Sequence, residues 1–329
     1  MTDRLPRVSL ANLPTPLHRL TRLSAQLGVD LWIKRDDLTS LATGGNKTRK
    51  LEYLIADALA RGADCVVTAG GPQSNHCRQT AAAAAQHGLA CCLVLGGEPQ
   101  PPLGNLLLDR LLGAEVHWTP KPNRKSRMQE LAGELGAAGR TPYVIPIGGS
   151  NAIGAVGYVA AMDELLGQAE EAGVAFDRVV FPTSSGGTHA GLALGAKRAG
   201  FGGVVTAISI DAAPTDHAFL EEVAQVATEA AGMLGDSVLI SPAELEVEYG
   251  YLGGGYGVVG DTERDAIRLM GRQEGILLGP VYSGRGFGAL LDMIAQGKVA
   301  AGQRVLYWHT GDESALHAYA DELLEGDVG

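Results

Sequence analysis

The sequence predicts an α/β fold made of two open, twisted lobes with mainly parallel sheets and a ligand cleft between them. Three observations predict it. Short apolar, β-branched runs alternate with longer amphipathic ones, the βαβα pattern of a parallel sheet covered on both faces. Glycine-rich polar turns follow several of the predicted strands, at the carboxyl ends where open α/β sheets bind ligands. The chain has 329 residues, 46% of them hydrophobic and only 5% aromatic. That is long enough for two domains sharing a cleft, and an alanine- and glycine-rich interior favours close helix–sheet packing.

The elements follow in order. Leu13-Pro14-Thr15-Pro16-Leu17 is an extended entry, because each proline pushes its predecessor toward β or polyproline geometry. Leu31–Arg35 reads as a strand ended by Asp36-Asp37. Apolar Leu51, Leu54, Ile55, Ala58 and Leu59 recur at helical spacing, so a helix starts beside Lys47. Cys65–Ala69, Ala90–Leu95, Val116–Trp118 and Pro142–Pro146 read as strands. His76–His87, Leu106–Leu112 and Ser126–Ala138 read as the intervening helices. Gly148–Gly154 breaks the pattern, marks a domain crossing and opens a helix that runs through Leu166. A second α/β run gives strands at Arg178–Pro182 and Val204–Ile210, and helices at Thr188–Ala199 and Ala218–Leu234. Tyr249–Gly260 has no period and reads as a loop. Thr262–Glu274 is a helix, Arg304–His309 the last strand and Ser314–Leu324 the last helix.

A net charge of −11 excludes nucleic acid and anionic membrane surfaces as expected partners. There is no apolar run of transmembrane length and no signal-peptide pattern at Met1-Thr2-Asp3-Arg4. Cys65, Cys77, Cys91 and Cys92 form no metal-like pair, so we expect no metal, buried thiols and a cytoplasmic location.

The chemistry starts at Thr43-Gly44-Gly45-Asn46-Lys47-Thr48-Arg49-Lys50. Lys47 lies where a flexible loop meets a helix start, the positive end of the helix dipole. That placement lowers an amine's pKa and suits a nucleophilic lysine, although a surface lysine in a basic first turn fits the stretch alone. Ser184-Ser185-Gly186-Gly187-Thr188 joins a strand to a helix and offers hydroxyls and backbone N–H groups to an anion. It carries neither a Walker Gly-Lys-Ser/Thr nor a full Gly-x-Gly-x-x-Gly, so a monophosphate fits better than a dinucleotide. A capped βα turn is the plain alternative. Gln73-Ser74-Asn75-His76 is another such turn, where Ser74 serves as N-cap, carboxylate ligand or proton relay. His76 reads as a hydrogen-bonding pocket residue. Pro280-Val281-Tyr282-Ser283-Gly284-Arg285-Gly286 reads as a third polar loop, with Tyr282 as a proton donor or a packing tyrosine. His309-Thr310-Gly311-Asp312 ends the last strand. There Thr310 is placed to face a ligand and His309 to be a satisfied core histidine.

These stretches together resemble the D-cysteine desulfhydrase/1-aminocyclopropane-1-carboxylate deaminase family. The matching pieces are Gly44–Glu52, Gln73–His76 with Arg78-Gln79, Gly187–Gly191, Pro280–Tyr282 with Gly284, and His309–Gly311, in that order from about Pro6 to about Tyr319. The resemblance implies a fold-type II pyridoxal 5'-phosphate enzyme, a homodimer, acting on a small amino acid. It implies a large cofactor-binding domain of residues 1–51 with 159–329 and a small α/β domain of residues 52–158. It makes Lys47 the Schiff-base lysine and gives Asn75 the cofactor's phenolic oxygen. Ser184, Ser185, Gly186, Gly187 and Thr188 would hold the phosphate, and Thr310 would face the pyridine nitrogen. Ser74, Asn75, His76, Tyr282 and Ser283 would face the substrate, with Lys47, Ser74 and Tyr282 catalytic. A neutral hydroxyl at the ring nitrogen limits the electron sink and suits β-elimination.

Ser283 and Thr310 point toward desulfhydrases and the similar L-cysteate sulfo-lyases, and away from cyclopropane deaminases. The expected reaction is therefore elimination from D-cysteine to pyruvate, ammonia and sulfide. L-cysteate sulfo-lyase, cyclopropane deaminase and a non-catalytic ligand-binding protein are the alternatives. Arg285 or His76 would supply the donor that a sulfonate needs. A dinucleotide dehydrogenase lacks its acidic residue here. Three departures from the family's pattern bear on the substrate. The Gly96–Gly104 segment is short, Gly279 stands where an aspartate is common, and Asp312 stands where a glycine is common and adds a charge near the ring.

Overall fold

The structure is a computed structural model and describes residues 5–211 and 217–326. In chain order the strands are β1 (Leu17–Arg19), β2 (Asp30–Arg35), β3 (Cys65–Gly70), β4 (Ala90–Gly96), β5 (Glu115–Thr119), β6 (Pro142–Val144), β7 (Arg178–Thr183), β8 (Val204–Ser209), β9 (Glu246–Glu248) and β10 (Arg304–His309). The helices are α1 (Thr21–Leu27), α2 (Lys47–Ala60), α3 (Asn75–Gln86), α4 (Asn105–Leu111), α5 (Arg124–Ala137), α6 (Ala152–Glu171), α7 (Gly187–Ala199), α8 (His217–Met233), α9 (Asp261–Glu274), α10 (Ser283–Ala295) and α11 (Ala320–Leu324).

Two sheets result: a six-stranded one ordered β1-β2-β10-β7-β8-β9 and a four-stranded one ordered β5-β4-β3-β6. Among the described residues every strand pairing is parallel except β1 with β2. Both sheets are covered on both faces, and the period-2 alternation of a strand shows how. In β10, Val305 and Tyr307 pack with α9 and α10, while Leu306 and Trp308 pack with α6 and α7. In β3, Val66 and Val67 likewise enter different cores. No helix among the described residues is long and apolar enough to cross a membrane.

The predicted strands all form, within a few residues at their ends, and Tyr249–Gly260 is a loop as expected. Four elements were not expected: β1, α1, β9 and α10. The last matters most, because Pro280–Gly286 reads as a loop yet contains the first turn of α10. Glycines at 284, 286 and 288 weaken the helical signal, but each meets close packing. An added Cβ would lie 2.8 Å from Gly279 O at Gly284, 3.0 Å from the Tyr307 hydroxyl at Gly286 and 2.6 Å from Thr262 at Gly288. The predicted last helix is mostly 3-10 turns over Glu313–Tyr319, with only Ala320–Leu324 α-helical.

Candidate active site

The loops at the carboxyl ends of β2, β3, β7 and β10 converge on one small cavity, placed where open α/β sheets bind ligands. Asn46, Lys47, Lys50, Asn75, Ser184, Ser185, Gly186, Thr188, Tyr282 and Thr310 line it. It adjoins a wider cleft lined by Ser74, His76, Asp211, Tyr256 and again Lys47 and Tyr282.

The Lys47 loop is held by backbone contacts that only glycine permits. A Cβ on Gly311 would lie 2.7 Å from Gly45 Cα, and a Cβ on Gly44 would lie 1.8 Å from Asp37 O. The Asn46 N–H donates to Thr310 O at 2.9 Å, and the Asn46 amide donates to Thr188 Oγ1 at 3.1 Å. The lysine loop, the end of β10 and the start of α7 are thereby one unit. Ser40, Ala42 and Thr43 all have left-handed φ, strain of the kind that gathers at functional sites. Burial lowers the Lys47 amine to about 8, against the opposing charge of Asp211. Among the described residues the amine makes no hydrogen bond.

Behind the loop, Arg49 is buried against Asp36 and Glu164, with Nη2 at 2.8 and 2.9 Å from their carboxylates. Asp36 also accepts from Thr15 at 2.9 Å, Tyr158 at 2.6 Å and Trp308 at 2.8 Å. This network ties the first turn of α2 to β2, α6 and β10.

Asn75 begins α3, and Ser74 caps that helix by accepting from Cys77 N–H at 3.2 Å. Asn75 Oδ1 accepts from Arg78 Nη2 at 3.2 Å and from Asn105 Nδ2 at 3.1 Å. Those donors turn the amide NH2 toward the cavity, the orientation assigned from the hydrogen-bond network. Arg78 also donates to Gly44 O at 2.9 Å and to Ala42 O, so one guanidinium orients Asn75 and clamps the lysine loop. His76 Nε2 lies 2.8 Å from Thr68 Oγ1, whose own proton goes to Ile145 O at 2.8 Å. The imidazole is therefore the neutral Nε2–H tautomer. Burial, with Lys47 and Lys50 nearby, holds its pKa well below the ordinary value.

Where an anion is expected, Ser150 Oγ donates to Ser185 Oγ at 2.9 Å and accepts from Gly187 N–H at 3.0 Å. Gly186 has φ +80 and opens α7. Lys50 Nζ donates to Gly148 O at 3.0 Å and lies 2.9 Å from where a Gly187 Cβ would be. Burial, with Lys47 beside it, holds the Lys50 amine well below its ordinary pKa. Two amines, hydroxyls and a helix N-terminus in one cavity match a dianionic phosphate beside an electrophilic carbon.

Tyr256 and Tyr282 hydrogen-bond hydroxyl to hydroxyl, with their rings edge to face and centroids 5.9 Å apart. Burial raises Tyr256 and pushes Tyr282 well up, so both phenols keep their protons. Arg285 holds the Tyr256 loop through Gly255 O at 3.1 Å and Val258 O at 2.7 Å, while paired with buried Glu263.

Three expectations change. Ser283 does not reach the cavity. Its buried hydroxyl donates to Gly311 O at 2.9 Å and to Asp312, and it accepts from Gly279 N–H at 2.7 Å. Arg285 and His76 are not donors poised for a sulfonate, since one is consumed by its loop and the other is neutral. Asp312 puts no charge on the cavity wall, because its carboxylate faces the N-terminus of α10. Sequence reading missed Tyr256, Arg78 and Lys50 as site residues. Arg78 shares a helix face with Asn75 at three-residue spacing, and Lys50 so follows Lys47, whereas nothing local marks Tyr256. His309 is a satisfied core histidine, with Nε2 at 2.9 Å from Leu277 O and Nδ1 accepting from Gly311 N–H.

A family model described as pyridoxal-phosphate dependent enzyme matches residues 8–311. The chain belongs to this family of pyridoxal-phosphate-dependent enzymes. It is 39% identical over 332 residues to a putative 1-aminocyclopropane-1-carboxylate deaminase of Pyrococcus abyssi, covering 99% of this chain and 97% of the relative. It is 40% identical to a D-cysteine desulfhydrase of Salmonella schwarzengrund, covering 96% and 97%. A solved structure described as an ACC deaminase homologue superposes with a TM-score of 0.90 at 40% identity, covering 98% and 97%. The protein is thus a pyridoxal-phosphate enzyme of the group containing these deaminases and desulfhydrases, with the fold-type II architecture.

Proposed function

We propose that the protein catalyses α,β-elimination from a small β-substituted alanine, with D-cysteine giving pyruvate, ammonia and sulfide. The observation that carries this reading is the Tyr256–Tyr282 hydroxyl pair on the wall of the cavity that holds Lys47. It puts a protonated donor and an amine with a depressed pKa on the wall of one cavity. When bound, the cofactor supplies an electron sink that acidifies Cα–H and lets the β-substituent leave.

The chain's own groups do the rest. The N-terminus of α3, with Ser74 Oγ, binds the substrate carboxylate. Lys47 holds the cofactor and then, as a neutral amine, takes the Cα proton; Ser74 is the second candidate base. Tyr282 gives its proton to the departing sulfur, and Tyr256 restores it. Asn75 would donate to the cofactor's phenolic oxygen through the NH2 that Arg78 and Asn105 leave facing the cavity. Ser184–Thr188, with Lys50, would hold the phosphate. Thr310 would offer a neutral hydroxyl to the ring nitrogen, which would keep the sink modest. The two sheets support residues 1–51 with 159–329 as the cofactor lobe and 52–158 as the smaller one. Four free buried cysteines support a reducing compartment.

A second reading, L-cysteate sulfo-lyase, is favoured by Lys121, Arg124 and Lys125 along the cleft mouth, which would draw in a sulfonate. Asp211 and Glu222 also line that cleft, which favours the less charged substrate. The test is keto-acid release from D- and L-cysteine, L-cysteate and 1-aminocyclopropane-1-carboxylate. Sulfide from D-cysteine at the highest kcat/KM is expected. Preferential sulfite release from L-cysteate, or of a four-carbon keto acid from the cyclopropane, would displace this substrate. Tyr282→Phe is expected to lower kcat by about 10²–10⁴-fold with KM little changed. Steady-state kinetics check this, and an unchanged kcat removes the tyrosine from the reaction.

A further inference from the structure

Asp312 is fully buried and has φ +89, a left-handed conformation that a non-glycine residue adopts at a cost. Its carboxylate leaves its own strand end and crosses to the start of α10. Oδ2 accepts from Val281 N–H at 3.0 Å and Tyr282 N–H at 2.7 Å, and Oδ1 accepts from Ser283 N–H at 3.3 Å and the Ser283 hydroxyl. Tyr282 and Ser283 are the N-cap and first residue of α10, whose N–H groups a helix start leaves without intrahelical partners, and a carboxylate there is favoured by the dipole. Burial and the charge of Glu313 push Asp312 up to about 6 against these donors, so at neutral pH the cap is ionised.

Gly279 lies opposite. A Cβ built on it would fall 2.1 Å from Asp312 Cγ and 2.2 Å from Asp312 Oδ1. A side chain at position 279 would therefore start in the volume now filled by the Asp312 carboxyl group. Gly279 has no positive φ, so its backbone accepts an L side chain, whereas position 312 has the φ that suits glycine.

We infer that Asp312 is the positioning residue for Tyr282, and that positions 279 and 312 are interchangeable sources of the one carboxylate that caps α10. The two sequence departures at these positions are then a single exchange. Moving the carboxylate to 279 and placing glycine at 312 keeps the cap and relaxes the left-handed backbone. The link to catalysis rests on the proposed role of Tyr282.

The test is a cycle of Gly279→Asp, Asp312→Gly and the double variant, with Asp312→Asn and Tyr282→Phe alongside. Thermal unfolding is measured with and without cofactor, and kcat and KM on cofactor-loaded protein. Gly279→Asp alone meets Asp312 and lowers Tm. Asp312→Gly uncaps α10, lowers Tm and lowers kcat by about 10²-fold through misplacement of Tyr282. The double variant recovers most of both losses. Asp312→Asn keeps the shape but brings an NH2 against backbone donors, so kcat falls while the cofactor's absorbance stays; in a Tyr282→Phe background it costs little more. A double variant no better than Asp312→Gly, or one that does not fold, overturns the interchange. Wild-type kcat in Asp312→Asn overturns the positioning role. Wild-type kcat in Tyr282→Phe overturns the reading of Tyr282 instead, and the thermal cycle still decides whether one carboxylate serves both positions.

Discussion

Lys47→Ala is expected to lower turnover by about 10⁴-fold or more, because one residue acts as both covalent anchor and base. The variant should still fold. Lys47 is paired with no described carboxylate, and its removal relieves a buried amine whose pKa burial has depressed to about 8. It should bind the cofactor only reversibly. Borohydride should fix no cofactor to the variant, while in the parent it marks a single peptide containing Lys47. Recovery of the label on Lys50, which lines the same cavity, would overturn the assignment.

The pH arm is equally specific. The folded pKa lies below the unfolded lysine value of about 10.4, so the folded, cofactor-free protein releases the proton first. Capture of added cofactor should rise about tenfold per pH unit below pH 8 and level off above it. By linkage, the stability penalty of the buried ammonium is present below pH 8 and disappears as pH rises from there toward the unfolded value.

Much of this site was legible in the chain because local sequence carries its chemistry. A glycine pair before a lysine, a hydroxyl-rich βα turn and an Asn at a helix start each stand out locally but leave a plain alternative open, and only their joint resemblance to a known family makes them one site. The strands were legible from local pattern, since Val305, Leu306, Tyr307 and Trp308 alternate between two cores as a buried parallel strand must. What stayed illegible depends on contacts between distant segments. The glycines of α10 read as a loop until Tyr307, Thr262 and Gly279 are seen pressing on them. Ser283 reads as a pocket hydroxyl until Gly311 and Asp312 are seen to consume it. Tyr256 sits in a segment without period, and its role emerges only where Arg285, on α10, fixes that loop. The sequence specifies which groups are available, and the fold decides which of them are already spent.

Asp36→Asn is expected to destabilise the protein by about 3–5 kcal/mol, the scale of breaking a buried ion pair on one side. Asp36 is wholly buried and five donors meet its two oxygens: Thr15 and Arg49 Nη2 at Oδ1, and Arg49 Nε, Tyr158 and Trp308 at Oδ2. An asparagine fills the same space, so no cavity term enters. Its NH2 must face donors at one of these positions, and among the described residues Arg49 keeps the Thr15 hydroxyl but only Glu164 as an ion-pair partner, which is partly open to solvent. The loss should appear as a lower urea midpoint with an unchanged m value. A change below about 1 kcal/mol would mean that Glu164 alone satisfies Arg49, in keeping with ion pairs that contribute little. Burial opposes the charge on Asp36, but Arg49, with Lys34 and Tyr158, outweighs it and holds the carboxyl below its ordinary range. The contribution of Asp36 is therefore complete above the unfolded value of about 3.9 and is lost as pH falls through the lower folded one. At neutral pH the parent and the variant should differ by the full amount, and the gap should close only in strong acid. Because Arg49 lies two residues from Lys47 in the first turn of α2, the variant should also hold its cofactor less tightly, a weakening that binding titrations on the folded protein would read directly.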